Sequence, residues 1–382
     1  MYIYMSNFKA RRRNKMKKVL IIATIEGFLK FEIEDMRILQ EKGYEVHTAV
    51  NSKNVRIELP LDGIKKHQID FERNPLSKEN IRAYQQLCKL VKSEQFALIH
   101  CHTPVGGVMG RIVGHKYKIK VIYTAHGFHF YKGAPLKNWL IYFPIEYYLS
   151  KWTDILITIN SEDFFVAKKK FKMRKIFQIP GVGLDINTFY YRKNFPRDEY
   201  RNALGIGKED YMVLSVGELN DNKNHVLVIK AIAALNNKKV HYFIAGVGNN
   251  RDKYTDLANK LGITDQIHLL DYREDIMELN HSADIFVFPS IREGMGMALL
   301  EALACGTIVL GMDIRGVREY VIEGETGFLF DNQVESCMRC IRRSLNMSII
   351  EKEIMREKCI NRARRYSRKY TDKIMREIYK QV

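Results

Sequence analysis

Two glutamates, Glu293 and Glu301, stand in the run Ser290-Ile291-Arg292-Glu293-Gly294-Met295-Gly296-Met297-Ala298-Leu299-Leu300-Glu301-Ala302-Leu303-Ala304-Cys305-Gly306. Glu293 falls in a glycine-rich turn after the apolar segment Asp284–Pro289. Glu301 falls inside the helix that follows, which should end near Gly306. A strand, a glycine turn and a helix start together make an anion site, because free N–H groups and the positive end of the helix dipole face the ligand. A carboxylate in the turn and another within the helix can each accept hydrogen bonds from sugar hydroxyls. The pattern suits a phosphate with sugars on both sides. Glu-x7-Glu alone is also what two solvated helix charges look like, so its context must decide.

Other polar residues group around strand ends. Lys223 lies in Gly217-Glu218-Leu219-Asn220-Asp221-Asn222-Lys223, after an apolar strand. His126 follows Val121–Ala125, at the end where parallel sheets bind ligands. The bland alternatives are a solvated lysine and a satisfied core histidine. His100 and His102 flank Cys101 at another strand end. A zinc reading lacks a fourth ligand at suitable spacing, so lining of a cleft is the better expectation. Cys337-Met338-Arg339-Cys340 is a lone CxxC without a second Cys/His pair, and the six cysteines show no disulfide framework, which suits a reduced, cytoplasmic protein. No Asp-x-Asp pair follows a strand, so no metal is expected.

The elements that must position these residues alternate along the chain. Strands are expected at Val19–Thr24, Tyr44–Val50, Phe96–Cys101, Val121–Ala125, Ile155–Ile159 and Lys175–Ile179. Helices fall between them, including Phe31–Lys42, Ser77–Ser93, Val105–Lys116, Leu136–Trp152 and Ser161–Phe171. A polar stretch at 187–210 reads as a linker. The alternation then restarts, with strands at Tyr211–Val216, Val240–Ala245, Ile267–Leu270, Asp284–Pro289, Thr307–Gly311 and Gly327–Phe330. This is an α/β pattern of two Rossmann-like domains with parallel sheets facing across a cleft, where ligands usually bind. The expected division is a basic arm at 1–18, an N-terminal domain at 19–190, a C-terminal domain at 191–358 and a last helix at 359–382 that crosses back. At 382 residues the chain suits two domains.

Charge is unevenly spread. The net +18 divides into +15 over residues 1–190, −6 over 191–338 and +9 over the remainder. No apolar run approaches the roughly 18 residues of a membrane span. The basic first half, with the aromatic segment Leu136–Trp152 and its neighbours Lys132, Lys137 and Lys151, suits an anionic membrane surface. Core packing is the alternative for at least half of those rings, and Pro144 is expected to kink the helix. Nucleic acid is the other obvious partner for a basic chain, but no recognition motif appears and the region with the strongest ligand motifs is acidic.

Five segments of the second half, in order, resemble the retaining, nucleotide-sugar-dependent glycosyltransferases of family 4, with the GT-B fold. They are Val216-Gly217-Glu218-Leu219 through His225, His268-Leu269-Leu270-Asp271-Tyr272-Arg273-Glu274-Asp275-Ile276, the glutamate pair, Gly316-Val317-Arg318-Glu319, and Glu325-Thr326-Gly327-Phe328-Leu329. In the first half the likeness rests on His100-Cys101-His102-Thr103-Pro104 and Thr124-Ala125-His126-Gly127-Phe128. Within the family the chain looks like enzymes that build bacterial capsular polysaccharide or exopolysaccharide. The resemblance implies a nucleotide-sugar donor, UDP-linked by preference, a lipid-linked saccharide acceptor and no cofactor. It implies donor-binding roles for Gly27, Gly217, Lys223, Tyr272, Arg273, Arg292, Glu293, Gly294, Met295, Gly296, Met297 and Glu301. Catalytic roles fall to His126, Lys223 and Glu293, with His100, His102 and His126 on the acceptor side. Glu218 stands where many members carry an arginine that neutralises the diphosphate, and Arg273 or Arg292 could replace it. Glu26-Gly27 stands where a double glycine is usual. The lost arginine leaves room for a catalytically inactive homologue acting as an assembly partner.

Overall fold

The computed structural model describes residues 16–53 and 62–382. The basic arm expected at 1–18 lies almost wholly outside the described residues. Among the described residues thirteen strands form two parallel sheets. β1 (Lys17–Ile25), β2 (Tyr44–Asn51), β3 (Lys65–Gln68), β4 (Leu98–Cys101), β5 (Lys120–Ala125), β6 (Ile155–Thr158) and β7 (Lys175–Gln178) make the first, in the order β3-β2-β1-β4-β5-β6-β7. β8 (Tyr211–Val216), β9 (Val240–Ala245), β10 (Ile267–Leu269), β11 (Ile285–Phe288), β12 (Ile308–Met312) and β13 (Gly327–Phe330) make the second, in the order β10-β9-β8-β11-β12-β13. Strands such as Val-Leu-Ile-Ile in β1 and Ile-Phe-Val-Phe in β11 are apolar on both faces because helices cover both, as parallel sheets require.

Three expectations need correction. β3, Lys-Lys-His-Gln, has no apolar alternation, so periodicity misses it. It is an edge strand, paired with β2 alone, and charge is what such an edge tolerates. The stretch expected to be a linker contains a helix, Arg197–Ala203, whose buried Arg201 bonds to the Ser282 and Asp210 carbonyls. The helix expected from Ser77 begins at Glu79, and Ser77 Oγ accepts the Glu79 N–H at 3.3 Å.

Contacts divide the chain into two compact units. The first holds the described residues up to Thr124, with 149–155 and 379–382. The second holds 125–148 and 156–378. In the first, Tyr379 is buried and its hydroxyl bonds His100 Nδ1 at 2.8 Å and Asp35 Oδ2 at 3.2 Å.

In the second, a directional hydrogen-bond chain fixes the start of the helix His225–Leu235. Ser215 on β8 donates to the Val287 carbonyl of β11 (2.6 Å), so Ser215 must accept from the Tyr242 hydroxyl of β9 (2.8 Å). Tyr242 in turn accepts from His225 Nδ1–H (2.8 Å). This sets the tautomer and leaves Nε2 as a buried acceptor with no hydrogen-bond partner among the described residues. Desolvation lowers the His225 pKa to about 3, with nearby Lys223 adding to the effect. An unfolded histidine titrates near 6.5, so the unfolded state binds the extra proton first. Stability is therefore present above about pH 6.5 and is lost as pH falls towards 3, at roughly 1.4 kcal/mol per pH unit for one such group. The stability of wild type relative to His225→Gln should decline steadily from pH 6.5 to 4 in urea titrations. A pH-independent difference would show that His225 is not held neutral.

Candidate active site

β8 and β11 are neighbours in the second sheet, so the loops leaving their carboxyl ends lie side by side. Two hydrogen bonds tie them. Ile291 N–H donates to the Asn222 carbonyl (2.8 Å), and Asn222 Nδ2 donates to the Arg292 carbonyl (3.1 Å). Across this seam Lys223 Nζ donates to Glu293 Oε1 at 2.6 Å. Lys223 also stands over the Phe288 ring, 5.0 Å from its centre. Its stem passes Gly217 so closely that a Cβ there would lie 3.2 Å from both Cδ and Cε.

The glycine turn continues the site. Of the N–H groups assigned to phosphate, that of Met297 donates to the Met295 carbonyl (3.1 Å). Those of Gly294, Met295 and Gly296 meet no protein acceptor among the described residues. Gly296 caps the helix Met297–Ala304, with Glu301 one turn inside it. A Cβ on Gly294 would come within 2.1 Å of the His126 carbonyl oxygen, so only glycine lets these backbones touch. The His126 main chain is thus beside the turn that carries Glu293, and desolvation lowers the His126 pKa to about 4, leaving the imidazole neutral at pH 7.

Arg315 was not singled out by sequence, yet it joins these loops. Its guanidinium donates to Asp163 Oδ1 and to the Phe128 carbonyl (2.6 Å) and lies over the Tyr131 ring at 4.6 Å. Asp163 also accepts the Phe128 N–H (2.9 Å) and Asn160 Nδ2 (2.8 Å). Burial pushes the Asp163 pKa up, opposed by Arg315. The only sequence signal was position, next to Gly316 in a matched motif.

The other expected residues have the following surroundings. Arg273 is spent on Asp275 and the Tyr200 hydroxyl, and Tyr272 is exposed beside it. Arg292 is exposed and makes no side-chain hydrogen bond or ion pair among the described residues. Glu218 accepts from Asn220 Nδ2 (3.0 Å). Gly27, His100 and His102 belong to the first unit. Gly27 lies in a short 3-10 turn, Glu26–Phe31. His100 is fully buried with both ring nitrogens bonded, to Tyr379 and to Thr124 Oγ1 (2.8 Å), and His102 Nδ1 lies 3.4 Å from Glu32. The six cysteines form no disulfide, and burial pushes the Cys340 thiol up to about 11 and Cys359 up to about 12.

The family model for group 1 glycosyl transferases matches residues 196–366, and that for glycosyl transferase 4-like domains matches 18–160. EpsD of Bacillus subtilis (strain 168), a glycosyltransferase by name, is 38% identical over 82% of this chain and 83% of its own. The UDP-Gal:alpha-D-GlcNAc-diphosphoundecaprenol alpha-1,3-galactosyltransferase of Escherichia coli is 25% identical over 91% of this chain and 92% of its own. Among solved structures, Anabaena Alr3699/HepE in complex with UDP and glucose superposes with a TM-score of 0.78 at 16% identity, over 96% of this chain and all of that one. The fold is GT-B, with two parallel-sheet Rossmann-like domains. The chain belongs to the group 1, family-4-like glycosyltransferases and is similar to those of bacterial polysaccharide synthesis.

Breaking one partner of a buried ion pair costs about 3–5 kcal/mol, whereas replacing both with apolar groups costs far less. Arg315→Met should destabilise the protein by about that amount in urea titrations, and adding Asp163→Leu should recover part of the loss. Strict additivity of the two would show that the pair does not hold the loop.

Proposed function

We propose that the protein transfers a sugar from a UDP-sugar to a lipid-linked saccharide, with retention of anomeric configuration and without a metal, in cell-surface polysaccharide synthesis. The observation that carries this reading is the Lys223–Glu293 pair beside the unspent N–H groups of Gly294–Gly296. As the sugar–phosphate bond breaks, charge grows on the departing diphosphate. Fixed positive charge there lowers the barrier, and such electrostatic stabilisation is commonly the largest catalytic contribution. Lys223, the N–H groups and the start of the helix Met297–Ala304 supply it. When Lys223 turns to the diphosphate, Glu293 is released to accept hydroxyls of the transferred sugar. Glu301 would hold the ribose. A neutral His126 can hydrogen-bond the sugar without adding a competing charge. Attack on the face that the diphosphate leaves retains configuration without an enzyme nucleophile.

The donor and acceptor classes draw support from the galactosyltransferase relative, whose name specifies UDP-Gal, a diphosphoundecaprenol-linked acceptor and an alpha product. Midpoint shifts with UDP, GDP, ADP and their sugar conjugates, with and without EDTA, test the reading, since a ligand of the folded state must raise the midpoint. A UDP-specific shift that survives EDTA is expected. Glu301→Ala should shrink that shift, whereas Glu293→Ala should depress turnover by at least about tenfold and largely keep it. Binding without turnover would mark an inactive homologue. DNA affinity without nucleotide binding would mark a nucleic-acid protein.

The reading places the protein at the cytoplasmic face of the membrane. No helix among the described residues is long and apolar enough to span one. The helix Leu136–Ser150 divides its apolar residues. Trp139, Phe143 and Tyr142 pack inward on Phe130, Phe171 and His129, while Leu136, Leu140, Ile141, Ile145 and Tyr148 are exposed. With Lys132 and Lys137 at its start, this face suits an anionic bilayer. The protein should sediment with phosphatidylglycerol vesicles at low salt, and Leu140→Glu with Ile141→Glu should abolish that. Failure of wild type to bind would remove the membrane from the reading.

A further inference from the structure

Glu293 borders a cavity of about 310 Å³ in the second unit, within the range of small-ligand sites. Tyr131, Lys132 and Gly133 form one wall, Glu162 a second, and Arg292 with Arg315 and Arg318 much of the rest. Of the residues assigned to the donor, only Arg292 and Glu293 line it. Gly217, Lys223, Tyr272, Gly294–Met297 and Glu301 do not. A molecule in this cavity therefore touches the transferred sugar's glutamate and Arg292, and none of the other groups assigned to the nucleotide and its phosphates. That is the position of an acceptor.

The charges of the walls decide which part of an acceptor fits. Arg315 is neutralised by buried Asp163, Arg318 pairs with Asp313, and Glu293 is held by Lys223. Glu162 accepts the Lys132 main-chain N–H and keeps its negative charge, with Arg318 the cation it acts on. Two cations remain, the Lys132 ammonium and the Arg292 guanidinium, with no hydrogen bond or ion pair among the described residues. An arginine left open at a cavity mouth presents a fork that matches phosphate or carboxylate oxygens.

Resting on the function proposed above, we infer that this cavity is an anion subsite for the acceptor, in which Arg292 and Lys132 grip a phosphate or carboxylate group next to the transferred sugar. Arg292 then acts on the acceptor and not on the donor diphosphate. The anion has two possible sources, the diphosphate of a lipid carrier or an acidic sugar of the saccharide. Inorganic pyrophosphate stands for the first and glucuronate for the second.

The experiment is calorimetric titration of the full-length protein, first with UDP and then, at saturating UDP, with pyrophosphate or glucuronate. Saturating UDP blocks the donor diphosphate site, so any further anion must bind elsewhere. Wild type should bind one of the two probes, and the probe that binds names the source. Arg292→Gln with Lys132→Gln should weaken that binding by about tenfold or more, as the loss of charge-assisted hydrogen bonds implies, and leave UDP affinity within about twofold. Both side chains are exposed and unpaired, so the variant should keep the wild-type unfolding midpoint. If UDP binds but neither probe does, or the variant binds the probe as wild type does, the subsite is wrong while the donor reading stands. If the variant loses UDP affinity, Arg292 serves the donor and the subsite is wrong. If no nucleotide binds wild type, the donor reading falls and the subsite with it.

Discussion

The site depends on one constraint of parallel sheets: every strand must be re-entered from the same side, so loops far apart in sequence emerge together at the carboxyl edge. β8 and β11 are hydrogen-bonded neighbours, and their loops bring Lys223 and Glu293 within 2.6 Å. Both side chains keep some contact with solvent, so the pair contributes little to stability. Its value is in placement. Each charge holds the other in place, and under the proposed function an anion that draws Lys223 away would uncover an acceptor on Glu293 in the same movement.

The loops around that pair are held by close backbone packing and buried charge. Gly294 lies against the His126 carbonyl, Gly316 lies against the Glu293 carbonyl, and Arg315 reaches Asp163 and the Phe128 carbonyl. A buried ion pair is a weak source of stability beside well-packed apolar groups of the same volume. Here it performs a task apolar groups cannot, because one guanidinium satisfies a carboxylate and a main-chain carbonyl at once. The hydrogen-bond chain from His225 through Tyr242 and Ser215 to Val287 acts similarly beneath Lys223. Such chains have a direction, so they specify one arrangement where apolar packing tolerates several.

Most strands of both sheets were legible in sequence where burial writes a pattern. The apolar cores of β1, β8, β9, β11 and β13 stand out because both faces are covered, and glycine turns mark where their loops begin. What failed to show lacks an apolar signature. β3 is all polar because it lies at an edge, and the helix Arg197–Ala203 is held by Arg201 bonding to carbonyls. The aromatic residues of Leu136–Ser150 were visible as a group, but sequence could not say that Trp139, Tyr142 and Phe143 turn inward while Leu136, Leu140, Ile141 and Ile145 face out. Arg315 and Asp163 are separated by more than a hundred residues, and each alone looks like a surface charge.

The placement of cations bears on how this chain departs from its family. The resemblance implies an arginine where Glu218 puts a negative charge on the loop after β8, and Arg273 is bound to Asp275. Arg292, next to Glu293, lines the cavity and makes no side-chain hydrogen bond or ion pair among the described residues. Coulomb attraction falls only as the inverse of distance but is strongly screened by water. A guanidinium on the cavity side therefore acts mainly on what occupies the cavity, and under the proposed function a donor diphosphate would rely on Lys223 and backbone N–H groups. With one cation fewer, that diphosphate would be held less tightly in the ground state. That costs little in rate as long as the remaining donors point where charge develops, because only interactions that strengthen in the transition state accelerate the reaction.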